Sequence, residues 1–542
     1  MSMTSAYLLS ALFLLSAETP AGVTPGQERM TNHPLFVTSD RCVACHNGLV
    51  SPSGEDLSIG PEWRSGMMAN AARDPYWHAA VRREVLDHPQ AQAAIENECS
   101  TCHMPMMRFQ EKAGGRKGEV FLHLPVISAK APASAMAADG VSCSLCHQIQ
   151  PDGLGSAASF TGGFVVDTKK PAEQREIYGQ YDVDKGHRRI MSSSSSFVPT
   201  RAAHLDSSEF CASCHTLFTH SLNAAGESIA TLPEQVPYLE WRHSGYRGTN
   251  SCQSCHMPRV ETPVGITSVM GQPRSGFLRH NFQGGNFFML KTLNSYREEL
   301  GVAARSQELD HAASRTIEHL QQSSARVAVP EARISGDRLE ATVRVESLAG
   351  HKLPTAYPSR RVWLHTTVQD REGKVLFDSG ALTPEGAIAG NDNDQNGGRY
   401  EPHYERIEDP EQVQIYEAIM VDPDDQVTTG LLTGVRYVKD NRILPWGFDK
   451  KSAPADVGVY GPAGQDADFT GGEDRLAYSI QLRGAPGPYR LKTELWYQPV
   501  GYRWAHNLSA KDSEETKRFV TYYKSMAPAS AVMLTGATVE VR

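Results

Sequence analysis

Asn97-Glu-Cys99-Ser-Thr-Cys102-His103-Met104-Pro105 contains the pattern that organises this chain, Cys-x-x-Cys-His. Four other stretches repeat it: Cys42-Val-Ala-Cys45-His46, Cys143-Ser-Leu-Cys146-His147, Cys211-Ala-Ser-Cys214-His215 and Cys252-Gln-Ser-Cys255-His256. The 542-residue chain has 10 cysteines and 20 histidines, and every cysteine belongs to one of these copies. Random placement at that composition would supply about 0.007 copies of the spacing, so the repetition is not accidental. Two thiols three residues apart, followed at once by an imidazole, form the attachment site of a c-type haem. Each thiol adds across one vinyl group, and the histidine turns onto the iron from the same side. The pattern predicts five covalently bound haems, with His46, His103, His147, His215 and His256 as proximal ligands. Zinc also uses Cys-x-x-Cys pairs, but a histidine after every pair points to haem.

The motifs crowd into residues 42–256, 215 residues for five haems, or one haem per 43 residues (215/5). That is too little chain to give each haem a separate pocket, so the haems must share walls. The reading is an α+β multidomain protein. Residues 30–293 are expected to form a mostly helical and irregular haem domain. Its loops are marked by breakers such as Ala131-Pro132-Ala133-Ser134 and the serine run Ser192 to Ser196. Residues 294–325 are long, proline-free and rich in Ala, Glu, Leu and Arg, which predicts a linker helix. Beyond it the period changes to two in Arg338 to Glu346, Val362 to Val368 and Tyr489 to Tyr497. Residues 326–542 therefore read as an Ig-like β-sandwich with long insertions around 385–475, free of cysteine.

The motifs define one side of each iron only. A protein ligand on the other side gives a six-coordinate electron carrier, whereas a vacancy leaves room for a substrate. Fifteen histidines (20 less 5) lie outside the motifs. His88, His204 and His280 lead as distal ligands, followed by His123, His187, His220 and His243. His351, in Gly350-His-Lys-Leu-Pro-Thr-Ala-Tyr-Pro-Ser-Arg360-Arg361, could reach back from the second domain to a haem, and the two arginines could meet propionates. Met68, or its neighbour Met67, is the thioether candidate. Met104 and Met257 follow their motifs directly and suit packing on a porphyrin face. Asp392-Asn-Asp394-Gln-Asn396-Gly397 starts like a calcium loop but has His403 where the twelfth-position glutamate belongs. A Ca²⁺ site there is only weakly supported.

Residues 1–22 read as a signal peptide, with the apolar run Tyr7 to Ala17 followed by Glu18 and Pro20. The usual basic start is missing, since Met1 to Ala6 contains no Lys or Arg. No later run is apolar enough to span a membrane, so the expected location is periplasmic or extracellular. With 53 basic and 62 acidic side chains and no basic cluster, nucleic acid is a poor partner.

Around the motifs, Asn97-Glu-Cys-Ser-Thr-Cys-His-Met-Pro-Met, Ala138-Asp-Gly-Val-Ser-Cys-Ser-Leu-Cys-His, Glu209-Phe-Cys-Ala-Ser-Cys-His-Thr-Leu and Ser251-Cys-Gln-Ser-Cys-His-Met-Pro resemble exported multihaem cytochromes of the broad cytochrome c-554/c-prime superfamily. Gly350-His-Lys-Leu-Pro-Thr and Lys439-Asp-Asn-Arg-Ile-Leu-Pro look like segments found behind such haem domains in bacterial respiratory chains. The resemblance implies respiratory electron transfer with other redox proteins, such as a membrane quinol oxidoreductase or a terminal reductase or oxidase. It also admits a place as a subunit of a larger complex. The alternative is a reductase of a small nitrogen or sulfur oxyanion, comparable to pentahaem nitrite reductase. That family usually carries Cys-x-x-Cys-Lys at its catalytic haem, and no such motif occurs here.

Overall fold

The computed structural model describes residues 34–128 and 131–542, so the expected leader at 1–22 lies outside the described residues. The described chain is α+β, with short helices gathered in the first half and two packed sheets in the second.

Helices of the first half are short because their signals are closely spaced. Helix α1 (Pro75–Asp87) starts on a proline, and the Asp74 carboxylate accepts hydrogen bonds from the Tyr76 and Trp77 amides. It ends before Pro89, and α2 (Gln92–His103) then carries the second motif on its last turn. The other motifs sit in or beside single helical turns, such as Cys143–Cys146 and Cys252–His256. One turn separates residues i and i+3, so both thiols of a motif emerge on the same side. A hairpin of β1 (Leu217–Leu222) and β2 (Ser228–Gln235) projects from the fourth motif.

Of the stretch expected as one linker helix, 294–325, only α4 (Ser306–Ser323) is helical; the first two residues of the stretch end the preceding helix α3 (Phe287–Ser295). The chain turns between them through Gly301, whose φ of +63° lies in the left-handed region that glycine enters without steric cost. Helical propensity is high across the whole stretch, but this turn folds α4 back against α3. Helix α4 buries Leu309, Ala312, Ala313, Thr316 and Leu320 on one face, and with that face it lines a cavity.

The second half contains β3 (Ala325–Ser335), β4 (Arg338–Ser347), β5 (Arg361–Gln369), β6 (Val375–Ser379), β7 (Arg406–Ile407), β8 (Ile415–Tyr416), β9 (Glu473–Gln481), β10 (Tyr489–Gln498) and β11 (Val532–Val541). One sheet has the order β7-β9-β4-β3, the other β6-β5-β10-β11 with β8 paired to β5. This alternation of strands between two sheets follows the Ig-like order. Val343, Val345, Leu364, Leu476, Leu491 and Leu495 are buried between the sheets, and the Thr366 hydroxyl donates to the Tyr478 hydroxyl across the gap at 3.1 Å. The same core runs on through Tyr76, Phe287, Phe288 and Leu309, so the two halves share apolar packing. Helix α5 (Glu514–Met526) packs on α1 and adds an Arg82–Glu515 ion pair at 2.9 Å. No helix among the described residues is long and apolar enough to cross a membrane.

Candidate haem site

A cavity of about 910 Å³ lies between the first half, α4 and the 348–360 segment of the second half, and is lined by the cysteines and histidines of four motifs, the first, third, fourth and fifth. The second motif stands outside this lining but touches it, because the Cys102 and Cys214 thiols are hydrogen-bonded. Two further thiol contacts join different motifs, Cys42 with Cys143 and Cys211 with Cys252. Cys146 also lies close enough to Cys214 to raise its own pKa through that neighbour, although burial is the larger cause. The five motifs thus form one connected cluster, first to third to fourth, with the second and fifth branching from the fourth. All ten cysteines are free of disulfides.

The proximal imidazoles are oriented by backbone carbonyls. His46 donates from Nδ1 to the Ile266 carbonyl at 2.6 Å, His103 to Ala71 at 3.1 Å, His147 to Tyr178 at 2.6 Å, and His256 to Gln283. A carbonyl can only accept, so Nδ1 bears the proton and Nε2 keeps its lone pair for a metal. Desolvation inside the fold lowers the pKa of His103 and His256 to about 4, and lowers that of His147 and His215 as well. These rings are neutral near pH 7, the form that binds iron. His215 is exposed, and its residue lies on the cavity wall. Trp77 lies flat on the His103 ring, with centroids 4.4 Å apart and planes 3° apart.

Two distal candidates lie opposite proximal histidines. His280 has its ring centroid 6.3 Å from that of His147, with planes 20° apart. His351 lies 6.1 Å from His256, with planes 10° apart. A transition-metal–imidazole bond is about 2.0–2.1 Å long, so two rings on opposite sides of one metal place their centroids about 6.2 Å apart. Both candidates also donate from Nδ1 to a carbonyl, His280 to Leu278 at 3.0 Å and His351 to Lys352 at 2.9 Å, leaving Nε2 free. Desolvation lowers the pKa of His280 to about 3. These donor sets suit a haem iron, and the thiols beside them suit its covalent attachment.

The loop that presents His351 is fixed by buried charge. Lys352 Nζ lies 2.7 Å from Asp440, Arg442 pairs with Asp440 at 2.7 Å and with Glu240 at 2.9 Å, and the Glu240 carboxylate accepts from the Lys352 amide. Two cations and two carboxylates balance, which keeps this cluster tolerable away from water. Asp440 has its pKa held down to about 2 by Arg442 and Lys352, against the opposing effect of burial. Leu353 and Ile443 exchange backbone hydrogen bonds at 2.9 Å. The two C-terminal segments singled out in the sequence therefore meet, and Glu240 ties both to the motif-bearing half.

Other expected ligands fall elsewhere. Met68 and Met67 are on the cavity wall, whereas His88 and His204 are not. Both nitrogens of His88 are buried without a hydrogen-bond partner, on the connection between α1 and α2. His204 uses Nε2 on the Ile149 carbonyl at 2.8 Å, leaving only Nδ1. His187 uses both nitrogens, on Asp184 and on the Met270 carbonyl. Of the two arginines, Arg360 lines the cavity. Arg361 is instead buried in a two-pronged pair with Asp394 at 2.8 and 2.9 Å, so it is not available to a propionate. The same pair corrects the calcium expectation, since both Asp394 oxygens are engaged and Asp392 to Gln395 form a helical turn.

Sequence reasoning missed His319. It lies on the cavity wall with its ring 5.8 Å from His256, tilted by 59°. The signal was present as a stripe, Ala312, Thr316, His319, Leu320 and Ser323, at helical spacing along α4. A separate buried trio, His403, Asp466 and Asp474, brings three potential metal-binding atoms within 4.8 Å of one another. The Gln414 and Asn441 side-chain amides both donate to His403 Nδ1, and each amide is held in that orientation by a backbone amide on its oxygen. Nε2 must then carry the proton, which it donates to Asp466 at 3.0 Å, so this histidine offers no lone pair to a metal.

No protein-family model matches the chain, and no curated protein sequence matches it. Among solved structures, the chain is similar to a penta-heme cytochrome c552 from Thermochromatium tepidum, with a TM-score of 0.51 at 14% sequence identity. The match covers 94% of this chain and 100% of that one. At this identity the likeness is one of fold. It spans both the motif-bearing half and the sandwich.

Proposed function

We propose that the protein is an exported multihaem cytochrome c that passes electrons through five closely spaced, covalently bound haems in a respiratory chain. The observation that carries this reading is the union of all five motifs in one cluster, with two histidine pairs at the separation that a shared metal requires. Cys42, Cys45, Cys99, Cys102, Cys143, Cys146, Cys211, Cys214, Cys252 and Cys255 would hold the macrocycles as thioethers. His147 with His280, and His256 with His351, would be the axial pairs of two of them. Bound haem would supply one-electron redox chemistry, and at two of the sites His147 with His280 and His256 with His351 would present neutral nitrogens to it from both sides. The protein contributes ring orientation through the carbonyls on Nδ1, an apolar wall, and contact between neighbouring sites.

His88 and Met68 remain candidates for the irons not served by these pairs. Export fits because c-type haem is attached outside the cytoplasm, and the partners would be redox proteins of that compartment. Mass spectrometry of the mature protein should give the mass of the chain plus five haems. Electron paramagnetic resonance of the oxidised form should show low-spin haem that does not bind added ligand. A high-spin component that shifts with nitrite, hydroxylamine or cyanide would instead support the reductase alternative.

A further inference from the structure

Glu234 is a buried carboxyl without a cation. It lies on β2, 7% exposed, and accepts a hydrogen bond of 2.5 Å from the Thr219 hydroxyl on the facing strand β1 and another from the Gln235 side chain. It has no ion pair among the described residues. The charges acting on it are those of Glu98 on α2 and Glu84 on α1, both negative. Glu84 has partners of its own, the Leu431 and Leu432 amides and the field of Arg83. Glu98 feels His220, which is exposed on β1. The phenols of Tyr76, Tyr357 and Tyr437 complete the surroundings: Glu234 acts on Tyr357 and Tyr437, and Tyr76 on Tyr357. Cys99 and Cys102 both feel the charge of Glu234, so this carboxyl lies within electrostatic range of the second motif.

Several carboxylates close together in a desolvated place cannot all remain ionised, and the most readily protonated is the deeply buried one with no cation acting on it, since Glu98 has His220 and Glu84 has Arg83. We propose that Glu234 takes up a proton when an electron arrives at the haem attached through Cys99 and Cys102, so that this branch of the cluster moves protons together with electrons. This rests on the multihaem reading above. The electron comes from a donor redox protein and the proton from solvent, by way of His220 and Glu98. One O–H bond forms on the Glu234 carboxylate and one breaks in a hydronium ion of the solvent, while His220 and Glu98 each return to their starting protonation. The added negative charge makes the protonated carboxyl more favourable, and by linkage the proton makes the electron easier to accept. Burial, with the neighbouring carboxylates, already pushes Glu234 up to about 7, where this exchange would operate at neutral pH.

The test is a spectroscopically resolved redox titration of the haem-loaded full chain from about pH 5 to about pH 9, with a redox-difference infrared spectrum at each pH. In the wild type the potential of one haem should fall as pH rises near neutrality, and a protonated-carboxyl band should appear on reduction. Glu234→Gln should abolish both. Glu98→Gln should keep both but move the pH midpoint downwards, because a repelling charge has gone. Persistence of the slope and the band in Glu234→Gln would overturn the proposal. An unmoved midpoint in Glu98→Gln would do the same, and this second variant decides the matter where the first does not fold. A protein with no covalent haem by mass would show that the underlying multihaem reading had failed instead.

Discussion

The two halves of the chain bury their interiors with different materials. In the sandwich, paired strands bring Val343, Leu364, Leu476 and Leu495 into direct contact, and the core is side chain against side chain. In the motif-bearing half, helices of four to thirteen residues and short strands surround a cavity whose walls carry histidine and cysteine. A domain with few regular elements exposes too much surface to be held by its own core alone, and metals or cofactors commonly make up the difference. The contrast implies that the sandwich is stabilised by its sequence, whereas the first half is stabilised by what its motifs bind.

That contrast can be broken most directly by removing one attachment site. Cys143→Ala with Cys146→Ala should lose one haem by mass spectrometry and speed hydrogen exchange in α4 and across the first half. Strands β4, β5, β9 and β10 should stay protected, and unchanged exchange in the first half would defeat the contrast. Next in size, Asp394→Asn leaves Arg361 charged and unpaired inside the sandwich. A loss of about 3–5 kcal/mol is expected by denaturant titration, with the haem spectrum unaltered.

Leu364→Ala opens a hole in the fully packed core and should cost about 2–5 kcal/mol, again without a spectral change. The smallest effect is expected at the seam between the halves, where Glu308 of α4 pairs with Arg64 and Arg305. These partners hold the Glu308 carboxyl at about 2, against a smaller desolvation push upwards than their sum. A depressed pKa contributes stability that is present above the ordinary glutamate range and lost as pH falls towards about 2. Glu308→Gln should therefore destabilise by about 1 kcal/mol at neutral pH, screening included, and make little difference in strong acid. Acid melts of the two proteins would compare this directly.

What could be read from the sequence was local. A thiol, a second thiol one turn on and an adjacent imidazole need no tertiary information, and period-two strands such as Arg338–Ser347 and Tyr489–Gln498 announce themselves in the same way. His280 and His351 were legible as candidates but not as partners of His147 and His256, because those pairings join distant parts of the chain. The interruption at Gly301 was hidden by strong helix formers on both sides, and His319 by an otherwise ordinary amphipathic helix. Asp394 looked like a calcium ligand because a loop motif cannot show that an arginine from β5 lies underneath it.

His351 belongs to a loop of the sandwich, yet its ring centroid lies 6.1 Å from that of His256 in the other half. The balanced charges of Glu240, Lys352, Asp440 and Arg442 stiffen that loop from behind. With an iron held between the two rings as proposed, colour would report mechanical strain: a partner that pulled on the sandwich would register as a change in spin state at the fifth motif.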